Sequence, residues 1–180
     1  MTAGTLDSYT AQGMAIYQVV CALLRSDRTD EAEALAVTMA ERLTPYVQSD
    51  EPSLLSITGA LWLIAAVIAG RNTDRAQAWR RLDQADALAQ LLGTDANYAW
   101  TAFGPTNVAI HRVSVAESLA RRDGRRVLIL DAWTSNSDLH AYYESQGFRY
   151  VRTVLGHYTP SATLFKRPVA PDTGNCHNPR

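Results

Sequence analysis

The chain has 180 residues, with 17 basic and 18 acidic side chains and a formal net charge of −1. At 47% apolar it can bury a core, which excludes disorder by composition. The near-neutral balance also speaks against a nucleic-acid binder, which needs clustered Lys and Arg to neutralise phosphates.

Taken in chain order, the first part reads as helix. The pattern predicts helices over Leu6–Arg25 and Thr29–Leu43, the second with Asp30, Glu31 and Glu33 near its positive end. Pro52 opens a third helix that runs to about Gly70. Its 19 uncharged positions approach the ~20 needed to cross a bilayer. Ser53, Ser56, Thr58 and Gly59 dilute the run, and basic and aromatic flanks are missing, so a buried soluble helix is expected and no membrane partner. A fourth helix covers Thr73–Leu92 and stops at Gly93; a fifth starts near Gly104-Pro105 and ends about Arg122. An uncharged helix, a polar turn and a charged Ala-containing helix occur twice. An offset of 44 lays Thr29, Asp30 and Ala32 over Thr73, Asp74 and Ala76. That is the writing of a helical solenoid, with an apolar inner and a half-exposed outer helix in each hairpin.

After Gly124 the period changes. Arg126–Trp133 and Arg149–Val154 predict strands, Asp138–Gln146 a short helix ended by Gly147, and Ala162–Arg167 a third strand. Residues 168–180 are polar and Pro-rich and predict a disordered tail. The charge divides at the same place: residues 1–124 carry 10 basic and 14 acidic groups (net −4), and residues 125–180 carry 7 and 4 (net +3). The fold class expected is therefore mainly α, a helical hairpin array over 1–122 followed by a small α/β unit over 125–167.

Two resemblances attach to these parts. The run NYAWTAFGPTNVAIHRVSVAESLARRDG, with LLSITGALWLIAAVIAGRNTDRAQAWRRLDQADALAQLLG before it, resembles the tetratricopeptide-like C-terminal region of actinobacterial helix-turn-helix transcriptional regulators. WTAFGPTNVAIHRV is its most specific segment. The resemblance implies a protein-interaction module, with a protein or peptide in the helical-repeat groove. The chain starts inside the repeats, so no DNA contact of its own is expected. The segment DAWTSNSDLHAYYESQGFRYV, followed by ATLFKRP, resembles the C-terminal portion of GNAT acetyltransferases. That resemblance implies a coenzyme A contact at Asn136 and a general acid at Tyr143. A phenol there would protonate the thiolate released when an amine attacks acetyl-CoA. The family's pyrophosphate-binding turn, roughly Gln/Arg-x-x-Gly-x-Gly/Ala, does not precede Arg125, so an incomplete and inactive fragment without cofactor is expected. The alternative is an N-acetyltransferase using acetyl-CoA.

The candidate partner groove comprises Trp100, Asn107 and His111. Asn107 and His111 lie four apart and share a helix face with Val115. They either pair between helices or face a ligand. Trp62, Trp79 and Trp100 read as packing anchors, and the arginine pairs at 80–81, 121–122 and 125–126 as solvated faces or helix ends. Cys21 and Cys176 are 155 residues apart in unlike surroundings, so a buried hydrophobe and a free thiol are expected rather than a disulfide. Cys176-His177 alone makes a poor metal site, and no metal is assigned. The N-terminus lacks a basic stretch followed by an apolar core, which predicts a cytoplasmic protein. An exposed sheet edge in the α/β unit would favour self-association.

Overall fold

The computed structural model describes residues 3–47, 51–155 and 162–169. The chain is mainly helical, with one small antiparallel sheet, and it divides into two compact units, residues 1–115 and 116–180. The first unit contains α1 (Ala3–Arg25), α2 (Thr29–Leu43), α3 (Pro52–Arg71), α4 (Arg75–Leu92) and most of α5 (Pro105–Arg122). Short 3-10 turns lie at Thr44–Tyr46 and Tyr98–Trp100.

Each helix in this unit follows its sequence. In α2 the buried residues Ala32, Ala36, Met39, Ala40 and Leu43 fall on one stripe, and Asp30 and Glu31 stand in its first turn. Asp74 caps α4 by accepting from the Gln77 backbone N–H at 3.0 Å. Gly93 ends α4 at φ +68°, a left-handed conformation that lacks a Cβ penalty only for glycine. The central helix is α3, buried on nearly every side and in contact with α1, α2 and α4. Among the described residues it is the helix long and apolar enough to cross a membrane, yet most of its surface lies inside the protein. Burial around its whole circumference explains why its apolar residues show no single face.

The internal spacing differs from the expected 44. Helix ends, turns and buried stripes recur at 46 residues instead. Arg25 and Arg71 end α1 and α3, and the left-handed turn residues Asp27 (φ 57°) and Thr73 (φ 66°) follow each of them. Thr29 and Arg75 then open the outer helices. Buried Ala32, Ala36, Met39 and Leu43 correspond to buried Ala78, Leu82, Ala85 and Ala89. On the 44 spacing Ala32 would match Ala76, which is exposed. The residue identities that suggested 44 lie at the starts of the outer helices and in the turn before α4, where most of these side chains are exposed or half-buried and carry little packing information.

Helices approach closely at glycines that obey the same spacing. At Gly13 of α1 an added Cβ would meet Leu43 Cδ1 at 3.0 Å and Ile57 Cγ1 of α3 at 3.1 Å. At Gly59 of α3 an added Cβ would collide with the ring of Phe103 at Cζ, Cε1 and Cε2, and Phe103 is fully buried. Gly13 and Gly59 are 46 apart, and so are the side chains seated on them, Ile57 and Phe103.

A polar network joins the outer helices through α3. The Arg81 guanidinium of α4 pairs with Glu33 of α2 and donates to the Ala65 carbonyl of α3 at 2.9 Å. Asn72 Nδ2 donates to the same carboxylate at 3.3 Å. Arg81 is only 9% exposed. The expectation of a solvated arginine pair at 80–81 is thus corrected for Arg81, whose charge is satisfied inside by a carboxylate and a carbonyl. Arg80 is exposed.

The second unit holds the last turns of α5, then β1 (Val127–Trp133), α6 (Ser137–Ser145), β2 (Arg149–Val154) and β3 (Ala162–Pro168). The sheet order is β1-β3-β2, with β3 central and antiparallel to both neighbours. Pro168, placed in the tail by sequence, pairs with Val127 at the end of β3. The rest of the expected tail, from residue 170, lies outside the described residues. Arg167 ties this unit together. It pairs with Glu117 of α5, donates to the Gln146 carbonyl at 2.7 Å, and stands 4.5 Å over the Phe148 ring.

Two stability predictions follow from the helical unit. Gly59→Ala should destabilise it by about 3 kcal/mol, the upper end for overpacking, because the Phe103 ring must leave its seat. Thermal or urea unfolding would measure the loss, and an unchanged midpoint would show that the ring has room to yield. Glu33→Ala should cost about 3 kcal/mol in the same assay, because Arg81 would be left charged and largely buried.

Candidate functional site

The segment between α4 and α5 is the most strained stretch of the chain. Ala99, Trp100 and Ala102 all take positive φ, at 48°, 58° and 49°. Each costs roughly 1 kcal/mol or more for a residue with a Cβ. Side-chain hydrogen bonds hold the conformation. Asn97 Oδ1 accepts from the Ala102 N–H at 3.0 Å, and Thr101 Oγ1 donates to the Tyr98 carbonyl at 3.0 Å. Asp95 accepts from both the backbone N–H (3.0 Å) and the hydroxyl (2.7 Å) of Thr106, in the first turn of α5. Gly104 is required beside it, since a Cβ there would collide with the Asp95 carboxylate and backbone.

This turn sends two aromatics in opposite directions. Phe103 enters the notch at Gly59, and Trp100 is 81% exposed. Trp62, by contrast, is buried, with its indole N–H 3.4 Å from Thr44 Oγ1. The expectation that Trp100 anchors helix packing is corrected: the left-handed backbone turns its indole to solvent.

Asn107 and His111 line a cavity of about 270 Å³ within the first unit. Tyr17 of α1, Arg71 of α3 and Thr101 provide its other polar positions, and Leu24, Leu63, Ile64 and Val67 are among its apolar ones. Trp100 is not among the lining residues, so the structure separates it from the other two members of the expected groove. Asn107 and His111 do not pair with each other; His111 Nδ1 is buried without a hydrogen-bond partner among the described residues. Burial holds the His111 imidazole below the usual histidine range. Burial first, and then the neighbouring Cys21 thiol, pushes the Tyr17 phenol up. Neither Tyr17 nor Arg71 was singled out in the sequence. They come from other helices, and no local motif marks them.

In the second unit, Asn136 caps α6, its side-chain oxygen accepting from the Leu139 N–H at 3.0 Å. Tyr143 is 5% exposed and packs in an aromatic cluster with Tyr142, Phe148 and Phe165. Burial, with smaller contributions from Asp131 and Tyr142, raises its phenol further above the ordinary range. His140 Nε2 lies 3.0 Å from the Trp133 carbonyl. Among the described residues, no three His, Cys, Asp or Glu side chains gather where a metal ion could sit. Cys176, His177 and His157 lie outside the described residues.

Comparison with protein-family models, with curated proteins and with solved structures finds no match to this chain.

The His111 environment makes stability pH-dependent. Its folded pKa is lowered, so the unfolded chain takes up a proton first, near pH 6.5. The stability from neutral His111 is present above that value and is lost as pH falls through it, by at most about 1.4 kcal/mol per pH unit. Arg71 and Tyr17 are the other titratable side chains on the cavity wall. The unfolding midpoint should therefore drop between about pH 7.5 and pH 5.5, and His111→Gln should flatten part of that slope. Equal slopes in the two proteins would show that His111 charges freely in the folded state.

Proposed function

We propose that residues 1–122 form a tetratricopeptide-like helical-repeat array that binds a protein or peptide, of the kind found in helix-turn-helix transcriptional regulators and without DNA contact of its own. The observation that carries this reading is the 46-residue recurrence, in which helix ends, left-handed turns, buried stripes and glycine seats all repeat together. Such arrays present side chains from successive repeats on one continuous surface. Trp100 is the residue we place at the contact. It is large, amphipathic, 81% exposed and fixed by a braced, strained turn, so little ordering entropy would be lost on binding.

Panning a phage-displayed peptide library on the full chain tests the reading. Selected peptides should lose about 2 kcal/mol or more of binding on Trp100→Ala, with the circular-dichroism spectrum unchanged. Failure to enrich any sequence, or enrichment indifferent to Trp100, would count against it.

Residues 125–167 are read as an incomplete GNAT-like unit without its own activity, with self-association through the edge strands β1 and β2, unpaired on their outer sides among the described residues, as its accompanying role. The alternative, an N-acetyltransferase with Asn136 on coenzyme A and Tyr143 as general acid, draws less support. Asn136 already uses its side-chain oxygen as a helix cap, and Tyr143 is enclosed by aromatic rings.

A further inference from the structure

The cavity at Asn107 and His111 has a chemistry that the partner-binding reading does not use. Along α3, Ala60, Ile64, Val67 and Arg71 follow one another on a single face, giving an apolar floor that ends in a guanidinium. From Ala60 to Arg71 that floor is about 16 Å long at the helical rise. Arg71 is exposed at the rim and makes no ion pair among the described residues. Across from this floor, α5 brings Asn107 and His111, one helical turn apart, and α1 brings Tyr17. His111 Nδ1 has no hydrogen-bond partner among the described residues, which is uncommon for a buried polar atom. No carboxylate stands among the described lining residues. The volume of about 270 Å³ falls just below the range of drug-sized ligand sites, which begins at about 300 Å³, and so suits a smaller ligand.

We propose that this cavity binds a small monocarboxylate with an unbranched apolar tail, its carboxylate on Arg71 and its tail along α3 beneath Asn107 and His111. One unpaired guanidinium matches one carboxylate in charge and in its two-pronged geometry. A cationic head would meet Arg71 with no acid to offset it. A neutral head would leave the guanidinium without its ion pair. The site goes beyond the partner-binding reading, because Trp100 lies outside it.

Titration of the full chain with octanoate, octylamine and octanol, followed by isothermal calorimetry, tests this directly, since the three share a tail and differ in the head. Octanoate should bind at least about tenfold more tightly than octanol, and octylamine should show no saturable binding. Arg71→Gln, at an exposed helix end, should bring octanoate down to the affinity of octanol and leave octanol unchanged. Val67→Phe, which narrows the floor, should weaken both. Trp100→Ala should leave octanoate binding unchanged even where it abolishes peptide capture, so that the two readings fail separately. Equal binding of the three probes, no octanoate binding at millimolar concentration, an affinity indifferent to Arg71→Gln, or loss of octanoate on Trp100→Ala would each overturn the proposal.

Discussion

The first unit is organised by side chains seated on helix glycines. Ile57 rests on Gly13, and Phe103 rests on Gly59. Without a Cβ at those positions, α1 and α3 each offer a notch in which a bulky side chain reaches the helix backbone. Dispersion and apolar burial then act over a short distance, where interior packing is dense. Because α3 both supplies Ile57 and receives Phe103, it transmits the arrangement from α1 to the segment before α5. Its burial against α1, α2 and α4 follows from that central place.

The seating of Phe103 also accounts for the strain that precedes it. The connection from Gly93 to Pro105 must deliver an aromatic ring into α3 and then begin a helix. Left-handed backbone at Ala99, Trp100 and Ala102 makes that possible, and Asp95 and Asn97 offset its cost through hydrogen bonds. Exposure of Trp100 is the geometric by-product, and it leaves an indole facing solvent. Packing therefore links an internal glycine, a strained turn and a surface aromatic in one chain of causes.

Polar groups divide the work differently. Glu33 and Arg81 serve the fold, since each is matched and their carbonyl and amide neighbours complete the set. Arg167 does the same in the second unit with Glu117 and the Gln146 carbonyl. The cavity wall is unlike either network. Its histidine nitrogen is sealed in without a partner and its arginine is unpaired among the described residues, so the wall is polar without being closed. Matched polar groups hold a structure, whereas unmatched ones at a cavity are where an outside ligand gains most.

Much of this was legible in the residues alone. Periodicity, Pro52, Gly93 and the change after Gly124 located the helices and strands to within about two or three residues, because local backbone preferences act over that range. Asn107 and His111 stood out for the same local reason, as polar side chains one turn apart on an otherwise apolar helix face. The repeat spacing did not, because residues at and before the helix starts matched at 44 while buried stripes match at 46, and only packing shows which positions face inward. Trp100 and Arg81 were misread in opposite directions: a tryptophan is usually interior and an arginine usually exterior, and both tendencies yield to specific partners and to a strained backbone. Sequence by itself determined the mainly helical class, the element order and the change from helix to strand after Gly124, whereas the division into compact units falls earlier, within α5. Tertiary structure decided the seats at Gly13 and Gly59, the burial of Arg81 and the cavity that joins Tyr17, Arg71, Asn107 and His111 from three helices. Those depend on contacts between residues far apart in the chain, which no local pattern encodes.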